Sequence, residues 1–147
     1  MKGQKVENRD SWMVRSVAAL VLVSALIFLA GCFAAIPVAV VYYEDDHRYT
    51  ATADVEASAA KVYAAAQHVV DADASLKITK QDDKSMLLEA DKGGQFVSIK
   101  AAALPDGKTR LVILADKEAK GADKTLAVDL VKRICESLGV TYTLVKS

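Results

Sequence analysis

The residues of this 147-residue chain with most chemistry in them are two cysteines and two histidines. Cys32 follows two small residues, Ala30 and Gly31, at the end of an apolar run. A thiol is a nucleophile once deprotonated. Cys135 lies between Ile134 and Glu136, with Lys132 and Arg133 nearby. A reactive thiol needs a basic neighbourhood, whereas a packed cysteine behaves as a small apolar residue. Neither His47 nor His68 has a second histidine or a cysteine within a turn or two. Metal sites need clustered ligands, so no metal site and no cofactor are expected. Asp71/Asp73 and Asp82/Asp83 lack the calcium-loop pattern, and carboxylates are common in turns. Lys117, Lys120 and Lys124 are offset by Asp116, Glu118 and Asp123, which describes a solvated mixed face. The chain contains no Gly-x-Ser-x-Gly, phosphate loop or dinucleotide glycine motif. No catalytic residue is assigned, and a non-enzymatic protein is expected. The alternative from another class is a small thiol-dependent enzyme built on Cys135.

The elements around Cys32 divide the chain. Residues 1–15 are polar and carry Lys2, Lys5, Arg9 and Arg15 against Glu7 and Asp10. Residues 17–30 hold no charge, and these 14 residues, all apolar but Ser24, have the size of a signal-peptide core after a basic start. Leu29-Ala30-Gly31-Cys32 then resembles the lipobox of bacterial lipoproteins. That resemblance implies a diacylglyceryl group on the Cys32 thiol and cleavage between Gly31 and Cys32, where small residues admit the backbone to a narrow protease site. It also blocks Cys32 as a disulfide partner for Cys135. The competing reading is an uncleaved single-pass inner-membrane protein, because the uncharged stretch runs on for 27 residues to Tyr43. About 20 would suffice to span a bilayer. Pro37 and Gly31 both disfavour a helix through that stretch. In either case the basic end stays in the cytoplasm and the body lies across the inner membrane. Phe33, rather than Asp, follows the cysteine. By resemblance to enterobacterial lipoproteins, this favours the outer membrane, facing the periplasm.

The expected division is a signal peptide at 1–31, a lipidated cysteine with an apolar tether at 32–48, and a small periplasmic domain at 49–147. Residues 33–43 either lie at the membrane interface, with Tyr42 and Tyr43 at headgroup level, or pack on the domain as a strand. The whole chain balances 19 basic against 19 acidic residues, and removal of the leader leaves 15 against 17, a net charge of −2. No nucleic-acid partner is expected from that balance. The expected partners are the bilayer, through acylated Cys32, and an envelope protein or a second copy of the chain.

Within the body, Tyr49, Ala51, Ala53 and Val55 alternate with polar residues as in a half-buried strand. Ser58 is a good N-cap for an alanine-rich helix over 59–70, with Val62, Ala66, Val69 and Val70 on one face. Short strands follow around Leu76/Ile78, Met86–Ala90, Val97–Ala101 and Leu111–Ala115, separated by turns at 81–84, 92–94 and 105–107. The strand with Val112 and Leu114 on its outward side should be central or partly covered. Asp123 is expected to cap a second helix, whose stripe is Leu126, Leu130, Val131, Ile134 and Leu138. Gly139 is its stop, and 140–145 forms a short strand or a loose tail. The expected fold is α+β: a two-layer sandwich of an antiparallel meander with two helices on one face, in the order β-α-β-β-β-β-α.

With the leader, this body resembles a family of small bacterial lipoproteins whose domain has no assigned function. The matching features are the lipobox at Leu29–Cys32, the uncharged stretch ending in Tyr42-Tyr43 and Val62-Tyr63-x-Ala65-Ala66. To these are added Ile78-Thr79-Lys80, Glu89-Ala90, Val97-x-Ile99-Lys100 and Thr109-x-Leu111-x-Ile113. The resemblance runs from about Leu29 to Leu138. It implies location and fold, and it brings no catalytic residues.

Overall fold

The computed structural model describes residues 36–146. The expected signal peptide, and the expected cleavage and lipidation at Gly31–Cys32, lie outside the described residues. The elements run β1 (Val38–Glu44), β2 (Arg48–Val55), α1 (Ala59–Asp71), β3 (Lys77–Asp82), β4 (Leu87–Lys92), β5 (Gln95–Ala103), β6 (Thr109–Asp116), α2 (Leu126–Ser137) and β7 (Tyr142–Lys146). The strands form one sheet in the order β3-β4-β5-β6-β2-β1-β7.

The meander is present as β3-β4-β5-β6, every pair antiparallel. Two features of the expected sheet are corrected. First, it is mixed, because β7 runs parallel to β1, with Val38 opposite Tyr142 and Val40 opposite Leu144. Second, the order gains a strand at each end, giving ββαββββαβ. The physical reason is the same for both. A parallel partner far along the chain leaves no local turn signal. Val38–Tyr43 is apolar on both faces, so it shows no period-2 alternation that would distinguish a strand from membrane-facing chain. β1 lies inside the segment read as a tether, and it pairs antiparallel with β2 from Val40/Ala53 to Glu44/Tyr49.

One face of the sheet is dry. Ala51, Ile113, Ile99 and Leu88 lie in register across β2, β6, β5 and β4, and all are buried. Both helices cover this side: α1 packs on β3 to β6, α2 on β1, β2 and β6, and each on the other. β2 presents the small Ala51 and Ala53, and the bulk comes from Leu130, Val131 and Ile134 of α2, all fully buried. Each such large side chain contributes about 1.5–3 kcal/mol relative to an exposed one. β6 is central, as its apolar outward side requires.

The helix ends follow local chemistry. The Ser58 side chain accepts from the Lys61 backbone N–H at 3.4 Å, which caps α1. Contrary to expectation, Asp123 is not the N-cap of α2; Thr125 holds that position and Asp123 lies two residues before it. Its carboxylate accepts from the Thr125 N–H and hydroxyl, and it orders a turn that leads into α2 at Leu126. Gly139, at φ +69°, ends α2: its N–H bonds the Glu136 carbonyl while that of Val140 reaches back to Cys135. Met86 is not a strand residue. It closes the β3–β4 turn at φ +51°, where the Asp82 carboxylate holds the N–H groups of Lys84 and Ser85.

Candidate functional site

The other face of the sheet is left uncovered by the helices, and it carries a groove of about 900 Å³. Phe96, Ser98 and Leu114 are among its lining residues, with Asp46, His47, Arg48, Glu89, Asp116 and Glu118 around them. The strand registers explain this composition. Glu89, Ser98, Leu114, Thr50 and Tyr43 form one row across β4, β5, β6, β2 and β1. Phe96 is 43% exposed, unusual for a residue of its size on a central part of a sheet. Thr50 is 1% exposed, and its hydroxyl has no hydrogen-bond partner among the described residues.

The rim is built by stapling two loops together. In the β1–β2 turn, Asp45 Oδ1 accepts from the backbone N–H of His47 at 2.8 Å and of Arg48 at 2.6 Å. These two donors hold the Asp45 carboxyl below the usual range. His47 Nδ1 lies 2.8 Å from Glu118 Oε1, and the Lys117 N–H donates to the His47 carbonyl. Lys117 Nζ reaches Glu44 at 2.5 Å and sits 5.7 Å from the centre of the Tyr49 ring. The Glu44 pair lowers the Glu44 pKa and raises that of Lys117.

Behind the rim, Gln95 anchors the loop from β6 to α2. It is 3% exposed, donates to the carbonyls of Asp116 and Asp123, and accepts from the Asp123 N–H. The Asp123 carboxylate also takes Lys92 at 2.8 Å. A glutamine at the start of a strand carries no sequence signal for this role. Sequence reasoning likewise did not identify Phe96 and Leu114 as floor residues, because which face of a strand is covered depends on helices distant in sequence.

The other sequence candidates fall apart in space or in chemistry. His68 is exposed on α1. Cys135 is fully buried, and burial pushes its thiol pKa up, opposite to what nucleophilic chemistry needs. Asp73 is tied to Ser75 and to Arg133 at 2.6 Å, which lowers its pKa to about 2. Asp83 accepts from Tyr63 at 2.9 Å and from Gln81 at 3.0 Å. Burial, followed by that bond, raises Tyr63 to about 12. Among the described residues, no three His, Cys, Asp or Glu side chains are placed to hold a metal ion. Among the same residues, no helix is long and apolar enough to cross a membrane.

The chain matches no family model, no curated protein and no solved structure.

Proposed function

We propose that this chain is a lipid-anchored module of a bacterial cell envelope. It is held through an acylated Cys32 at the outer membrane, facing the periplasm, and binds another envelope component rather than catalysing a reaction. The observation that carries the reading is Leu29-Ala30-Gly31-Cys32 at the end of a charged-then-apolar leader. The same residues support kinship with the small bacterial lipoproteins of unassigned function. Five residues, 33–37, join Cys32 to β1. Fully extended, they reach at most about 18 Å, so such an anchor holds the domain against the lipid surface. The groove supports the binding part of the reading. An apolar floor with a charged rim is the anatomy of an interface. Carboxylates outnumber Arg48 around it, which suits a cationic partner.

The single-pass alternative draws on one observation. With β1 claimed by the sheet, residues 17–37 remain as an uncharged run, and their last residue is Pro37. One measurement separates the two: the intact mass of protein extracted from membranes, with Cys32→Ala as control. The expected result is a chain starting at Cys32 with added acyl mass, lost in the control. The mass of the full uncut chain overturns the lipid-anchor reading in favour of the single span.

A further inference from the structure

β7 ends the sheet, and among the described residues nothing pairs with its outer side. Leu144 is 54% and Val145 46% exposed on it. An edge strand offers unpaired backbone donors and acceptors, and proteins usually blunt it with charge, proline or a bulge. β7 carries none of these before Lys146.

Which backbone groups are free follows from the parallel register. The Val38 N–H donates to the Thr141 carbonyl, and Val38 lies opposite Tyr142. In a parallel pair, the residues flanking each such position point their backbone groups at the partner. Thr141, Thr143 and Val145 therefore face β1. Tyr142, Leu144 and Lys146 direct their N–H and C=O groups outward.

We propose that this edge joins to the same edge of a second copy, β7 antiparallel to β7, with the two-fold axis at Leu144. This register pairs Leu144 with the partner's Leu144, and Tyr142 with the partner's Lys146. It alone engages all three outward-facing residues of both strands, in about six backbone hydrogen bonds. Side chains match as well. Tyr142 and Lys146 lie on the helix-covered side of β7, where the Tyr142 hydroxyl donates to Glu136 Oε1 at 3.1 Å. The partner's Lys146 then arrives beside that carboxylate and over the tyrosine ring, a charge complement repeated by symmetry. The axis stands perpendicular to the joined sheet, so two copies in one membrane lie with that sheet along it. The pairing itself requires no lipid and holds whichever way the Cys32 reading is decided.

The test uses the full chain in detergent, with Cys32 changed to Ser to remove its thiol. Leu144→Cys places two thiols on residues about 5.5 Å apart at Cα, within disulfide range. Mild oxidation is expected to convert most of this variant to a dimer. Thr143→Cys, which faces Val145 rather than itself, is expected to cross-link at least fivefold less. By sedimentation the native chain is expected to be dimeric. Leu144→Pro removes an outward donor without touching the β1 ladder, and is expected to weaken the dimer at least tenfold with unchanged circular dichroism. If the proline disturbs the fold, Leu144→Lys sets two like charges across the axis and serves the same purpose. A monomeric native chain, or equal cross-linking at 143 and 144, overturns the proposal. So does a dimer indifferent to both Leu144 substitutions.

Discussion

The two edges of this sheet are built on opposite rules. β3 is short, polar and bulged: its register with β4 shifts between Ile78 and Lys80, and Lys77, Thr79, Lys80 and Gln81 are exposed. Lys80 pairs with Glu89 of β4 at 3.5 Å. β7 is one residue shorter, but it has a regular register and shows Leu144 and Val145 to its surroundings. A charged, irregular edge repels another strand because docking would strip water from lysines without offering partners. The β7 edge has only Lys146, at its last position, as such a defence. One end of the sheet is therefore a boundary and the other a continuation.

Matched substitutions sharpen that contrast. The largest effect is expected from Val40→Asp beside the β7 edge against Ile78→Asp in β3. Val40 is fully buried between β2 and β7, so an aspartate there costs about 4 kcal/mol or more. Ile78 is only partly buried, and the same change costs about 1 kcal/mol. Denaturant unfolding of both variants reads the difference, and equal costs would remove the idea that the β7 side is held by its core.

Each end also has a tyrosine bonded to a carboxylate, Tyr63 to Asp83 and Tyr142 to Glu136. Tyr63 is buried, so Tyr63→Phe should cost about 1–2 kcal/mol, whereas Tyr142→Phe in the monomer should cost less than about 0.5 kcal/mol. Alkali distinguishes them further. Folding raises the Tyr63 pKa from 10 to about 12 by favouring its neutral form. Its contribution is full below pH 10 and lost as pH rises through 12. A stability curve over that window should fall more steeply for the native chain than for Tyr63→Phe.

The smallest change in stability belongs to Lys77→Val with Lys80→Val. Exposed ion pairs contribute little, so unfolding should shift by less than about 0.5 kcal/mol. The edge itself should change character, and in a Leu144→Pro background the protein should begin to associate with concentration. A variant that stays monomeric there means that the bulge, not the lysines, guards β3.

Much of this fold was legible along the chain. The Tyr49–Val55 strand, the Ser58-capped helix, the β3-to-β6 meander and the Gly139 stop follow from alternation, capping and turn residues, which act over a few positions. β1 was ambiguous because Val38–Tyr43 is apolar on both faces, and β7 because Tyr142–Lys146 is short and barely alternates. Of the groove, only the acidic boundary at Glu44–Arg48 stood out. Its pairing with Lys117 and Glu118 joins residues about 70 positions apart, and no local pattern encodes that.

The sequence by itself determined where apolar and polar residues recur, which segments become helices or hairpins, and that Cys32 follows Ala30 and Gly31 at the end of an uncharged run. Those depend on backbone preference and on neighbours within a turn or a hairpin. Tertiary structure decided that β7 returns beside β1, that Phe96 and Leu114 face an uncovered side, and that Cys135 is sealed. Each of these depends on which distant surface removes water from a side chain, and burial of that kind is a property of the assembled layers.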